Sequence, residues 1–347
     1  MKPLKILVSA AGAPGCSTLI RMFKKIEERP IEVVAVDMDK EAIGRFLADR
    51  FHPVPPADHS EYLETMLSIV KNEGVDVFYV VSSAEILKIA ENKSLFENMG
   101  CRVTASDPEA IRIASNKYSL YKTLAEKTDV PLPRFYYPQN LDEFVESVRK
   151  LGYPDKRVCF KPHESKGSRG FRILDEHISR RDLLLNYKPE STFMSLEEFI
   201  GIFQEGEFPQ FIVMEHVEGN DYDAMCLADR GEPLLTTIKT REASRWGVIV
   251  KGELVNAPEL TDICEKITRA IPLSYNFGIQ FIDRKVIEIN PRPSTFIYQE
   301  DLNEPYLAVK LALGEISHEE IRAYKEKIRY GRRMIRYMDQ VFWDERR

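Results

Sequence analysis

The run from Gly278 to Ser294 holds the residues best suited to chemistry: Gly-Ile-Gln-Phe-Ile-Asp-Arg-Lys-Val-Ile-Glu-Ile-Asn-Pro-Arg-Pro-Ser. Glu288 and Asn290 stand two apart in an otherwise apolar stretch, and side chains two apart in a strand share a face. A carboxylate on such a strand is costly to bury unless it meets a cation. Two oxygen donors side by side suit a hard divalent ion, which takes carboxylate and amide oxygens and bridges nucleotide phosphates. Arg292 emerges just beyond the strand, where a guanidinium can clamp a phosphoryl or carboxylate group. A third ligand must come from the preceding strand, where Gln280 and Asp283 lie on opposite faces because their separation is odd. A three-residue turn, Asp283-Arg284-Lys285, opposes Gln280 to Glu288; a two-residue turn brings Asp283 round instead.

Lys161 follows the apolar run Val158-Cys159-Phe160, so its ammonium must leave the sheet towards a partner. Ser165, Gly167, Ser168 and Gly170 come next. Small residues let backbone N–H groups close on phosphate oxygens while a lysine neutralises their charge. The segment is not a Walker A loop, since no Gly-Lys-Ser/Thr occurs at the required spacing and no helix begins there. Nearer the N-terminus, Ala11-Gly12-Ala13-Pro14-Gly15 lies between a strand and a helix, with Asp37 ending the next strand. A dinucleotide site carries GxGxxG there; with only Gly12 and Gly15, and Pro14 lacking a donor, a tight turn is expected rather than a nicotinamide dehydrogenase. Arg241, between two strands, is expected to face substrate or phosphate. Glu85, at the end of the third strand, sits where open α/β sheets bind ligands and could receive a substrate amine. Five widely spaced cysteines form no CxxC pair or Cys/His cluster and are expected to be structural. With no Ser/His/Asp or Cys/His arrangement, no protein nucleophile is expected.

The elements that must position these groups fall into two styles. Strands at Lys5–Ala10, Ile31–Asp37, Val75–Val81 and Cys101–Ala105 alternate with helices at Ser17–Glu28, Glu61–Lys71 and Ala84–Asn98, which predicts βαβ units and a parallel sheet. Ser106-Asp107-Pro108-Glu109 then reads as a helix start, and Asn116–Lys127 as a helix. Residues 175–209 are polar and weakly periodic, with one or two surface helices. Strands recur at Asp223–Leu227, Leu234–Lys239 and Trp246–Lys251, a helix at Leu260–Ala270, and a strand pair around Gln280 and Glu288. The basic stretch Arg332–Arg347 reads as a final strand or helix with a solvated face. The 347 residues suit two or three domains. A charged share of 30% beside 44% hydrophobic residues describes a folded globular chain, and a net charge of −6 argues against a nucleic-acid surface. Without an apolar run of about 18–20 residues or a leader, neither a membrane span nor export is expected, and the chain is placed in the cytoplasm.

Glu288-Ile-Asn-Pro-Arg292, preceded by a Gln- or acid-bearing strand, resembles the metal-binding end of the ATP-grasp fold. It is most similar to the ATP-binding halves of carbamoyl phosphate synthetase large subunits and stand-alone proteins like them. Other motifs match in order along essentially the whole chain. Asn116-Lys117 resembles the Asp-Lys that opens the nucleotide domain, Lys161 the second nucleotide lysine, and Ser165–Gly170 the mobile phosphate loop. Glu215-His216-Val217 resembles the hinge whose backbone reads adenine, and Gly219 with Asp221 the Gly-x-Glu element whose acid holds ribose. Asn116 replaces the family's Asp, and Asp221 is one methylene shorter than its Glu.

The resemblance implies an α/β and α+β chain. A Rossmann-like parallel sheet at 1–112 precedes a two-lobed ATP-grasp domain, with the small lobe at 113–218 and the large at 219–347. It implies magnesium, with manganese as a substitute, on Gln280, Glu288 and Asn290, and so selects Gln280 over Asp283. The activity implied is an ATP-dependent ligase joining a small-molecule carboxylate to an amine or ammonia through an acyl phosphate, with ADP and phosphate as products. Arg292 and Arg241 are the expected catalytic groups. The other reading of the same fold is a non-catalytic, regulatory ATP-binding module. Full carbamoyl phosphate synthesis needs two such halves, and this chain has room for one. A homodimer is the default assembly.

Overall fold

Apolar strands alternating with amphipathic helices build a parallel sheet, because each helical crossover returns the chain to the same end of the sheet. A computed structural model describes residues 2–163, 169–186, 192–245 and 247–344. The first unit comprises β1 (Leu4–Val8), α1 (Cys16–Lys24), β2 (Ile31–Asp37), α2 (Gly44–Leu47), β3 (Arg50–Pro53), α3 (Tyr62–Glu73), β4 (Val77–Tyr79), α4 (Ile86–Glu91), α5 (Lys93–Glu97) and β5 (Arg102–Val103). Its strands lie in the order β3-β2-β1-β4-β5, all parallel. Alternate residues serve opposite faces. Ile6, Val8, Val33 and Ala35 pack with Leu19 and Phe23 of α1, whereas Leu7, Val34, Val36 and Phe78 pack with Met66 and Val70 of α3. The helix expected over 84–98 is broken at Asn92, whose Nδ2 donates to the Lys88 carbonyl at 2.8 Å. An asparagine that bonds its own backbone competes with helix continuation. β3, with only Phe51 as a strand-like residue, gave no readable pattern.

The chain continues through α6 (Pro108–Ser115), α7 (Lys117–Lys127), β6 (Phe135–Tyr136), α8 (Leu141–Lys150), β7 (Val158–Pro162), β8 (Arg172–Leu174), α9 (Arg180–Asn186), β9 (Phe193–Met194), α10 (Leu196–Phe203) and β10 (Phe211–Glu215). A five-stranded sheet, β6-β10-β7-β8-β9, is covered by α8 and α10 over an aromatic core of Phe144, Phe160, Phe199 and Phe211. The third sheet takes β11 (Asp221–Asp229), β12 (Glu232–Thr240), β13 (Ala243–Arg245), β14 (Val248–Val255), then, after α11 (Pro258–Ala270), β15 (Tyr275–Ile282) and β16 (Lys285–Asn290). Its order is β13-β14-β12-β11-β15-β16. After α12 (Glu304–Leu313) and α13 (His318–Ala323), β17 (Arg333–Ile335) pairs with β14.

Two packing arrangements were not visible in the chain order. Helices α6 and α7 bury Ala110, Ala114, Leu120 and Leu124 against Leu260, Ile263 and Phe277, so α7 packs on the third sheet although it leads into the second. And α12 joins the first and third sheets in one core, where Tyr306, Leu307 and Val309 meet Leu19, Phe23, Met225 and Leu227.

Candidate functional site

Strand register builds one polar face on the third sheet. Asp223 of β11 stands opposite both Lys239 of β12 and Gln280 of β15, and Gln280 stands opposite Glu288 of β16. These four residues form a row across four strands. The reverse face carries Ala224, Ile238, Ile279, Phe281, Val286 and Ile289, packed on α11. Val286 and Glu288 are two apart yet occupy opposite faces, which a regular strand forbids. The turn has two residues, Asp283 and Arg284, because Ile282 pairs with Lys285; Phe281 then pairs with Val286 and Gln280 with Glu288, leaving Ile287 extra. A β-bulge therefore does what a three-residue turn was expected to do, and corrects that expectation. Asp283, with φ 49°, turns away: its Oδ1 accepts from the Asn220 N–H at 2.8 Å. Its carboxylate also lies where a Cβ on Gly219 would stand, 2.2 Å from Oδ2, so Gly219 must be glycine.

The bulge frees the Ile287 carbonyl, and buried side chains answer it. Tyr121 Oη donates to it at 2.8 Å and Lys161 Nζ at 3.4 Å. Lys161 and Lys117 are both buried, each 7% exposed. Burial pulls the Lys161 pKa down to about 8, against the opposing pull of Glu288. Burial works to raise Glu288, but Lys161, Lys117, the Asn290 amide and Arg292 outweigh it and hold the carboxyl below its usual range. Glu288 is thus an ionised carboxylate facing two lysines. Lys117 opens α7, where the Asn116 side chain accepts from the Ser119 N–H at 3.0 Å and so caps the helix. An amide oxygen caps as well as a carboxylate, which accounts for Asn at that position.

Arg292 closes the row towards the first sheet. Its Nε donates to Ser83 Oγ at 3.0 Å, one Nη to the Pro293 carbonyl at 2.8 Å and the other to Asn290 Oδ1 at 3.3 Å. Asn290 Nδ2 in turn donates to Glu288 Oε1 at 3.3 Å. Ser83 follows β4, so the crevice at the carboxyl ends of the parallel strands opens beside Arg292. Glu85 was expected to receive an amine there. It is buried and already takes hydrogen bonds from Ser9, Tyr62 and the Ser82 N–H, and burial raises its pKa. It braces β1, α3 and β4. Asp37 accepts from the Gly12 and Asp39 N–H groups at 2.7 and 2.9 Å, which closes the tight turn expected in place of a ribose contact.

Asp221 and Arg241 form a pair. Arg241 Nε reaches Asp221 Oδ2 at 2.9 Å, and Gln280 Nε2 reaches Oδ1 and Oδ2 at 3.0 and 3.3 Å. Burial raises the Asp221 pKa against the pull of Arg241 and Gln280. At the expected hinge, the Glu215 carboxylate pairs with Lys285 and Arg134, and its N–H donates to the Arg134 carbonyl at 2.9 Å. His216 and Val217 follow it, half-buried. Gly170 has φ 75°, and a Cβ there would come within 2.7 Å of Pro162. Ser165, Gly167 and Ser168 lie outside the described residues. His163 Nδ1 meets the Gln210 carbonyl at 3.2 Å. All five cysteines are free and buried.

Several members of the site escaped sequence reasoning. Lys239, 1% exposed, pairs with Asp223 at 2.7 Å, and Ser294 Oγ donates to the same Asp223 oxygen at 2.7 Å. The signal that exposed Lys161, a lysine in an apolar strand, was also present in Leu234-Leu235-Thr236-Thr237-Ile238-Lys239. Tyr121 and Ser83 carried no signal, because their partners are backbone carbonyls and a residue some 200 positions away.

Known proteins resemble this chain in sequence and in fold. Residues 207–333 match the family model described as ATP-grasp in the biosynthetic pathway with Ter operon, and residues 6–104 match the PylC-like N-terminal domain. The chain is similar to the formate-dependent phosphoribosylglycinamide formyltransferase of Ignicoccus hospitalis, 25% identical over 298 residues, covering 83% of this chain and 69% of that one. It is also similar to the carbamoyl phosphate synthase large chain of Methanobrevibacter smithii, 24% identical over 296 residues, of which it spans only 25%. Among solved structures it resembles the biotin carboxylase domain of Hydrogenobacter thermophilus 2-oxoglutarate carboxylase in complex with MgADP, ADP and bicarbonate. The TM-score is 0.65 at 18% identity, covering 94% of this chain and 72% of that one. Among the described residues, no helix is long and apolar enough to cross a membrane.

Proposed function

We propose that this chain, which matches an ATP-grasp family model over residues 207–333 and the PylC-like N-terminal domain over residues 6–104, is an ATP-dependent ligase joining a carboxylate to an amine or to ammonia. One observation carries the reading: an ionised Glu288 shares a face with Gln280 and Asn290 and looks onto two buried lysines. That set fits magnesium, which takes carboxylate and amide oxygens. With one carboxylate it is a weak site by itself; among the described residues no group of three His, Cys, Asp or Glu side chains could hold a metal ion. Nucleotide phosphates would supply further oxygens, so metal and nucleotide are expected to bind together. Gln280, Glu288 and Asn290 would hold the ion, which when bound neutralises phosphate charge.

The protein's own groups do the rest. Lys117 and Lys161 hold the phosphates, with Glu215-His216-Val217 at the adenine; the family likeness assigns Ser165–Gly170 to the phosphates as well. A carboxylate oxygen of the substrate attacks the γ-phosphorus, the bond to the β-bridging oxygen breaks, and ADP leaves. The amine nitrogen then attacks the acyl carbon, loses a proton, and phosphate departs. Arg292, held by Ser83 and Asn290, stabilises charge on the acyl phosphate and the tetrahedral intermediate. Asn290 points its oxygen at Arg292 and its amide nitrogen at Glu288, so as a ligand it would hold the ion only with that amide turned.

A screen of carboxylates paired with amines tests the proposal, with ADP and phosphate release as the readout. Release that requires both partners supports ligation. Tight ATP binding with no stimulated release across a broad panel overturns it and leaves a non-catalytic module. The pH profile gives a second check. In the free protein Lys161 has a pKa near 8, so its ammonium is lost as pH rises through that value, and kcat/KM for ATP is expected to fall on the alkaline side. Lys161→Arg keeps its charge, and its profile should stay flat there.

A further inference from the structure

We infer that Asp221 is a positioning residue that sets the orientation of the Gln280 amide, turning the Gln280 oxygen towards Glu288. The inference deepens the metal-site reading above and rests on it. β15 lies between β11 and β16, so Gln280 has Asp221 and Asp223 on one side and Glu288 on the other. An amide ends in an acceptor and a donor about 2.2 Å apart on opposite sides of its axis, so fixing one end fixes the other. Gln280 Nε2 lies 3.0 and 3.3 Å from the two Asp221 oxygens. The flipped amide would set its oxygen against a carboxylate, which accepts only. Asp221 therefore admits one orientation, with Oε1 directed at β16.

The anchor is itself fixed. Arg241 Nε donates to Asp221 Oδ2 at 2.9 Å, and the Arg241 N–H donates to the Asp221 carbonyl at 2.8 Å, which holds the two strand ends in register. The Arg241 side chain is 10% exposed and that of Asp221 31%, so the pair is partly sheltered from water. Three of the roughly four lone-pair directions of the Asp221 carboxylate are taken in this way. Asp221 thereby acts on the ligand set through Gln280, a part the family likeness did not assign to it. Asp223, directly opposite Gln280, cannot substitute, because its carboxylate is held by Lys239 and Ser294.

Orientation matters only for an amide. A carboxylate at position 280 has two equivalent oxygens and needs no anchor. The test is therefore a double-mutant cycle on the full chain, with Mn2+ as the probe. Mn2+ binding in the presence of ADP is read from the loss of the free-ion EPR signal, and ADP binding without metal by calorimetry. Asp221→Asn, or Asp221→Ser should the first fold poorly, is expected to weaken Mn2+ binding about 10- to 100-fold, as loss of an outer partner of a ligand does. In the Gln280→Glu background the same substitution should cost less than about twofold, or tighten binding by removing a like charge. An equal loss in both backgrounds would mean that Asp221 acts by charge alone and overturns the inference. So does a loss of metal-free ADP binding with Mn2+ unaffected, the signature of a ribose contact. Glu288→Gln separates the two levels: unchanged Mn2+ binding there defeats the metal face itself, whereas a large loss there with no Asp221 effect defeats only the positioning role.

Discussion

Glu288→Gln is expected to lower substrate-stimulated ADP release by about a thousandfold or more, roughly 4 kcal/mol of transition-state stabilisation. The substitution is nearly isosteric, so the β15–β16 ladder should survive and circular dichroism should be unchanged. Two losses combine. The only carboxylate of the proposed ligand set disappears, and with it the opposing charge that supports Lys161. Burial already brings that lysine down to about 8 against the pull of Glu288. Without the carboxylate its pKa falls further, and the ammonium fades near neutral pH. ATP affinity should therefore drop together with turnover, and the alkaline limb of kcat/KM should move to lower pH. Retention of more than a tenth of wild-type turnover would remove Glu288 from the chemistry.

Arg292→Lys should cost about 100- to 1,000-fold in kcat with a smaller change in the KM for ATP. The charge is kept, so simple attraction does not separate the two side chains. Geometry does. The guanidinium is held in three directions at once, to Ser83, the Pro293 carbonyl and Asn290, and presents a planar fork that an ammonium cannot reproduce. Because Arg292 is proposed to act on the acyl phosphate and not on the nucleotide, the loss belongs in kcat. Ser83→Ala removes one of the three anchors and should give the same split at a few-fold magnitude. A variant that raised the KM for ATP and left kcat alone would place Arg292 on the nucleotide instead.

How far the site could be read from the chain differs from residue to residue. Lys161, Glu288 and Asn290 were legible because a charged or amide side chain inside an apolar strand is costly, and the cost demands a partner. The same rule applied to Lys239 and Asp223, yet without knowing which strands are neighbours their pairing had no meaning. Gln280 opposite Glu288 was anticipated, but by way of the wrong turn. Two-residue and three-residue turns differ by one position, and the compensating bulge at Ile287 depends on Tyr121 and Lys161 satisfying a carbonyl that the ladder had released. The bracing part of Glu85 was hidden because two of its three donors, Ser9 after β1 and Tyr62 of α3, lie far from it in sequence, and only Ser82 is near.

Local pattern determined the parallel first sheet, since period and turn chemistry act over a few residues, and it determined the order of the motifs proposed to form the nucleotide site. It also determined that Glu288 and Asn290 would be presented together, because they stand two apart on the regular end of one strand, with Arg292 just beyond it. Tertiary structure alone decided what surrounds them: the row through Lys239, Asp223 and Gln280, the seat of Arg292 on Ser83, the packing of α7 on the third sheet and the grip of Asp221 on the Gln280 amide. Each of these joins elements far apart in the chain. Hydrogen bonds and burial act over a few ångströms in space, and sequence spacing carries no record of which distant strands are brought that close.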